Sequence, residues 1–267
     1  MIRDANSSVQ HAGSWPRLVV VGLLAGLFAT LFGVGGGIVM VPLLVLLLGY
    51  ETKVATATSL AAIIATATVG VIAHGALGNV AWGYAVVIGV PAVFGLIGGL
   101  WVKDRISSRG LTLAFAGLLA AVAVWLVVEP VAAGTAPSLT AARAAVVVPV
   151  GVLAGMLAGL FGVGGGILFV PALTLVIGLP QLSAEGASLL AIIPVSLLGS
   201  WRQHRAGTVR WRAATIMGAA SVATAIAGAF LADVTPPRVL RLLFAVLLVS
   251  TAIQLALRAR IWRPPPR

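Results

Sequence analysis

Four stretches of this chain, residues 81–102, 111–128, 213–231 and 239–257, run for about twenty positions with almost nothing but apolar side chains. A helix needs about 20 such residues to cross the ~30 Å hydrocarbon layer of a bilayer. Strands of a membrane barrel would instead appear as short alternating segments. Inside hydrocarbon every backbone amide must find its partner within the protein, so solid apolar runs of this length fold as helices. Composition agrees: 60% of the 267 residues are hydrophobic and 9% are charged, against about 25% charged in a soluble domain. The fold class is all-α, a polytopic helical membrane protein.

The chain is written twice. A shift of 129 positions lays residues 22–49 on residues 151–178 without a gap, and 18 of the 28 pairs are identical. The register persists beyond this block: Ser59-Leu60 falls on Ser188-Leu189, Gly78 on Gly207, Trp82 on Trp211 and Gly99 on Gly228. Two repeats are expected, residues 18–128 and 143–257, each of about five helical segments. A linker at 129–142, EPVAAGTAPSLTAA, joins them, with a tail at 1–17 and a basic tail at 258–267. The expected segments are 18–32, 38–48, 54–73, 81–102 and 111–128, then 146–161, 167–177, 184–200, 213–231 and 239–257. The second segment of each half has only eleven residues, ~16 Å at helical rise, about half a membrane.

Charge then orients the helices. If the short pieces make half-crossings or a re-entrant hairpin, each half has an odd number of crossings and the second half is inverted relative to the first. With the N-terminus inside, Lys103, Arg105, Arg109, Arg202, Arg205, Arg210, Arg212 and the basic C-terminal tail all fall inside. Only Arg143, Arg238 and Arg241 are left outside. Treating residues 22–49 as one crossing helix strands a basic loop outside, against the positive-inside tendency. The expectation is a multi-pass inner (plasma) membrane protein with both termini cytoplasmic. The net charge of +11 then faces anionic lipid, and nucleic acid is not expected as a partner.

Each apolar block is interrupted by Gly-Val-Gly-Gly-Gly, at 33–37 and at 162–166. Glycine costs up to ~1 kcal/mol relative to alanine inside a helix, so three or four together break it. A broken backbone survives at membrane depth only when buried in protein or lining a wet cavity. The residues after each break restart a helix. Its first amides, near Gly35–Gly37 and Gly164–Gly166, carry free donors and a partial positive charge. Such a cluster is a backbone site for an anion, which glycine lets approach closely. Packing of small residues between helices is the competing explanation. The duplication and the Pro42/Pro171 match favour the site. Dinucleotide and P-loop readings fail, because position 38 is not glycine and no Gly-Lys-Ser/Thr follows.

Paired LFGVGGGI…VP motifs, one near the start of each half of a ~260-residue membrane protein, resemble the TauE/SafE family of sulfite exporters, also called the TSUP family. The resemblance implies a plasma-membrane transporter of small anions, with sulfite, sulfonates, other sulfur oxyanions or organic acids as its range. The family's glycine motif maps onto Gly33, Gly35, Gly36 and Gly37 with Pro42, and onto Gly162, Gly164, Gly165 and Gly166 with Pro171.

Other polar groups are few. Ser59 and Ser188 are repeat equivalents whose hydroxyls could donate to an oxyanion without adding fixed charge. Alternatively they bond a backbone carbonyl. Glu185, equivalent to Thr56, is one of six acids, and an ionisable group in a membrane helix suggests proton coupling; as an interfacial first-turn acid it would be structural. His74 is a candidate proton site or a helix-end charge, and Arg202 a candidate for anion entry or a topology residue. There is no cysteine, and three scattered histidines offer no metal set. No nucleophile–base or paired-carboxylate set supports an enzyme, and no cofactor is implied. The expectation is an exporter of sulfite, a sulfonate or a related sulfur oxyanion. The alternatives are a carrier of another small organic anion and a non-transporting accessory protein. A homo-oligomer is left open.

Overall fold

A computed structural model describes residues 15–128 and 137–261. The tail and linker expected at 1–17, 129–142 and 258–267 fall wholly or mostly outside the described residues. Among the described residues ten helical elements follow in order: α1 (Trp15–Leu31), α2 (Gly37–Leu48), α3 (Thr52–Ala76), α4 (Trp82–Arg105), α5 (Ser108–Val128), α6 (Ala141–Phe161), α7 (Gly166–Pro171, continued by a wider π turn over Ala172–Val176), α8 (Gln181–Arg205), α9 (Trp211–Val234) and α10 (Pro237–Ile261). Seven of them, α3–α6 and α8–α10, are long and apolar enough to span a membrane.

The helices outrun the apolar segments at their charged ends. α4 continues past residue 102 through Lys103 and Arg105, and α8 past residue 200 through Arg202 and Arg205. Cations suit a helix C-terminus, where the unpaired carbonyls carry partial negative charge. Lys103, expected in a loop, is buried in the last turn of α4.

Small residues set the packing. A Cβ on Gly22 would lie 2.5 Å from the Met217 carbonyl oxygen, and one on Gly26 2.2 Å from that of Ser221. A Cβ on Gly151 would lie 2.4 Å from the Ile88 oxygen, and one on Gly155 1.9 Å from that of Ala92. Residue numbers rise together in both pairs, so α1 runs parallel to α9 and α6 parallel to α4. A shift of 129 turns one interface into the other: the same joint is built twice with partners exchanged. Between these pairs α3 and α8 run antiparallel, with Gly70 against Leu189 and Gly199 against Leu60. In lipid, where no hydrophobic force drives helices together, this close backbone approach is what holds them.

The path of each broken segment follows from what its ends touch. Trp15 and Leu18 at the start of α1, Tyr50 just after α2, and Arg210 and Trp211 at the start of α9 line one pocket. α1 and α2 therefore enter and leave at the same face of the bundle, the face that also carries Arg105, Arg202 and Arg205. In that pocket burial pushes the Tyr50 phenol up, and the nearby Arg210 charge opposes it more weakly. Val146 and Val147 near the start of α6 lie against Val176 and Ile177 at the end of the π turn. Both ends of that second hairpin sit at the opposite face, where Asn79 donates to Asp233 at 2.8 Å. Charge counting could not separate half-crossings from hairpins; the contacts describe two hairpins, one from each face.

Candidate functional site

The two glycine breaks have the same local geometry. Gly33, Gly35 and Gly36 have φ of 67°, 73° and 86°, and Gly162, Gly164 and Gly165 have 69°, 74° and 95°. A side chain at these angles costs roughly 1–2 kcal/mol. In the first break the amides of Phe32 and Val34 bond back to Phe28 and Ala29, and the Gly36 carbonyl accepts from Val39 at 3.1 Å and Met40 at 2.9 Å. In the second, the Gly162 amide bonds to Ala158, and the Gly165 carbonyl accepts from Leu168 at 3.0 Å and Phe169 at 3.1 Å. Among the described residues no acceptor is found for the amides of Gly35–Gly37 or Gly164–Gly166. All six glycines are buried. A buried amide without a partner costs about 1–3 kcal/mol, so each break holds a cluster of donors with unmet demand.

The breaks meet. A Cβ on Gly37 would lie 2.6 Å from Val163 Cα and one on Gly166 2.6 Å from Val34 Cα, so each hairpin tip presses on the other. The junction is closed by Ile63 and Ile192, a repeat pair near the middle of α3 and α8. Both flank Gly35, and Ile192 also flanks Gly164 and Gly166. Both isoleucines are fully buried. The two amide clusters are sealed by the opposing tip and by these isoleucines.

The serines lie at this junction in crossed positions. Ser59 Oγ donates to the Gly162 carbonyl at 2.5 Å, and Ser188 Oγ donates to the Gly33 carbonyl at 2.6 Å. Each half pins the other half's break, and in this conformation neither hydroxyl has a proton free for an anion.

Glu185 is fully buried with its backbone and methylenes packed on Gly33, where an added Cβ would sit 2.4 Å from Glu185 Cα. Gln181 Nε2 donates to its Oε1 at 2.8 Å, and Oε2 has no partner among the described residues. Its repeat equivalent Thr56 packs the same way on Gly162, 2.2 Å from an added Cβ through its carbonyl oxygen. The Thr56 hydroxyl bonds its own helix at Lys53, 2.9 Å away.

Other candidates are placed elsewhere. Pro42 and Pro171 lie buried inside the returning helices, beyond the tips. His74 Nε2 is 2.9 Å from the Thr30 carbonyl near the end of α1, which it caps, and Nδ1 has no partner among the described residues. Arg202 is exposed at the basic face, away from the breaks. Among the described residues no group of three metal-binding side chains occurs. Sequence inspection passed over Ile63, Ile192 and Gln181. The first two could have been found as a repeat pair inside the third segments, and Gln181 by its four-residue spacing from Glu185.

The family model described as sulfite exporter TauE/SafE matches residues 3–126 and 146–267. A probable membrane transporter protein of Xylella fastidiosa is 32% identical over 253 residues, covering 91% of this chain and 93% of the relative. One from another strain of that species is 34% identical over 196 residues, covering 71% and 74%. A probable membrane transporter protein of Methanocaldococcus jannaschii is 29% identical over 194 residues, covering 69% and 70%.

Proposed function

Since the chain belongs to the TauE/SafE family of membrane transporters, we propose that it exports a small sulfur oxyanion, sulfite or a sulfonate, through the junction of its two hairpin tips. The observation that carries the reading is the pair of buried amide clusters at Gly35–Gly37 and Gly164–Gly166, which lie where the two tips touch and find no acceptor among the described residues. Helix starts of this kind attract anions, and hairpins from opposite faces suit alternating access around a fixed centre. The substrate displaces Ile63 and Ile192 as one tip withdraws and takes hydrogen bonds from the amides. Ser59 and Ser188, released from the opposing carbonyls at the same moment, turn to the anion. Small oxyanions fit because glycine leaves no side chain between ligand and backbone.

Glu185 supplies the coupling in this proposal. While ionised it repels an anion at the first break; protonated through its unpartnered oxygen, it tolerates one. The arginine-rich face is cytoplasmic by the positive-inside rule, in an inner membrane.

The test is flux of labelled sulfite from proteoliposomes carrying Gly36→Leu or Gly165→Leu. Loss of flux in variants that remain monodisperse in detergent supports the site. Unchanged flux in either folded variant overturns it. Competition among sulfite, sulfonates, sulfate and carboxylates names the substrate, and a preference for carboxylates would move the reading to an organic-anion carrier.

A further inference from the structure

The basic face holds a feature that transport through the tips leaves unused. A groove of about 420 Å³ runs between the last turns of α4 and α8. Ile97, Leu100 and Trp101 of α4 line it together with Trp201, Arg202, Gln203 and Arg205 of α8. Both helices end in the same Trp-x-x-x-Arg pattern, Trp101 to Arg105 and Trp201 to Arg205, although these positions are not repeat equivalents. The Arg105 guanidinium lies 3.5 Å from the centroid of the Trp101 ring and that of Arg205 4.3 Å from Trp201. Gln203 is 4% exposed; its Oε1 accepts from Thr208 at 2.9 Å, while its Nε2 has no partner among the described residues.

We propose that this groove binds the headgroup and upper acyl chain of an anionic phospholipid. Its chemistry is amphipathic in the required order. Ile97 and Leu100 give an apolar floor, two exposed tryptophans stand at the depth where indoles mark the membrane–water boundary, and two arginines line the polar end. Asp104 also lines the groove and reduces its positive charge without cancelling two arginines. Arginine suits a phosphate because its planar fork can donate two parallel hydrogen bonds. A small free oxyanion would gain nothing from the apolar floor. Closing the groove on a lipid ties the ends of α4 and α8 together, so an anionic leaflet stabilises the helix ends beside the cytoplasmic mouth.

The full-length protein in nanodiscs of phosphatidylcholine, doped with phosphatidylglycerol brominated on its upper acyl chain, tests this by quenching of tryptophan fluorescence. Excess quenching over brominated phosphatidylcholine is expected, and it should disappear in the Trp101→Phe/Trp201→Phe variant. Arg202→Gln/Arg205→Gln should weaken the preference by about 25-fold, roughly fivefold per arginine, while Asp104→Asn strengthens it. Equal quenching by the two lipids, or an Asp104→Asn variant that loses the preference, overturns the proposal. So does displacement of the quenching by inorganic phosphate or sulfite at ordinary concentrations, which would make the groove a small-anion mouth. Sulfite flux is a separate readout, so the groove and the transport site fail independently.

Discussion

The two glycine breaks are copies in shape and strangers in chemistry. Each places three left-handed glycines before a returning helix and leaves the same three amides without acceptors among the described residues; each presses its tip on the other and is pinned by a serine from the opposite half. Against the first break, however, lies Glu185 with one free carboxyl oxygen, and against the second lies Thr56 with its hydroxyl turned to its own helix. Duplication kept what builds the junction and let the flank diverge. The shared parts set geometry, and in the proposed function ion coupling falls to the unshared acid.

The largest expected effect tests the shared geometry. Gly33→Ala and Gly162→Ala each force a side chain into a left-handed backbone and into the facing helix, 2.4 Å from Glu185 Cα in one case and 2.2 Å from the Thr56 carbonyl oxygen in the other. Strain and overpacking together should cost about 3 kcal/mol or more in each. Melting in detergent should show large drops of similar size. A tolerated alanine on one side only would show that the two halves are not mechanically equivalent.

Next comes the chemistry that the halves do not share. Glu185→Gln keeps the shape and the Gln181 contact while removing the charge. Flux through the parent protein should rise as the medium is acidified, because protonation removes the repulsion. The variant should hold the acid-limit flux at every pH, and Thr56→Val should leave the pH profile of the parent intact. A profile unchanged by Glu185→Gln would place coupling elsewhere, and the asymmetry of the breaks would then have no part in transport.

Smaller and symmetric effects are expected at the serines. Ser59→Ala and Ser188→Ala each remove one interhelical hydrogen bond, worth about 0.6 kcal/mol on average in a membrane and up to ~1.7. Their melting shifts should match, and the double variant should be additive, because each serine pins a different tip. A much larger loss at one serine would mean that one tip alone carries the junction.

What could be read before any fold was known follows from how local each signal is. A run such as 111–128 declares a helix by itself, and Gly-Val-Gly-Gly-Gly declares a break by itself. The direction in which the chain leaves the break does not: half-crossing and hairpin place every arginine on the same side, and only the contacts of Trp15 with the neighbourhood of Tyr50 decide. The serines illustrate the same limit. Their recurrence was visible, but their bonds reach residues 103 and 155 positions away, and no local pattern announces a partner at that distance. Helix ends were misjudged where hydropathy falls before the helix does, as at Lys103 and Arg202, because charge suits a C-terminal turn even as it ends an apolar run.

The smallest effect concerns a difference between the returning helices themselves. α2 is a regular helix through Leu48, whereas α7 stops at Pro171 and widens into a π turn. Proline is not the cause, since Pro42 stands at the equivalent place in α2. The second half instead has Ala172 where the first has Leu43, and Thr174 where the first has Val45. Thr174 Oγ1 donates to the carbonyls of Val170 at 3.0 Å and Pro171 at 3.2 Å, the back-bonding that bends helices. Thr174→Val should draw the segment toward the regular form of α2. The change in stability should be about 0.5 kcal/mol or less, with altered exchange at the Gly178 amide, which now bonds to the Thr174 carbonyl at 3.1 Å. If exchange there is unaltered while Ala172→Leu changes it, the missing bulk at 172, and not the hydroxyl, is what sets the two returning helices apart.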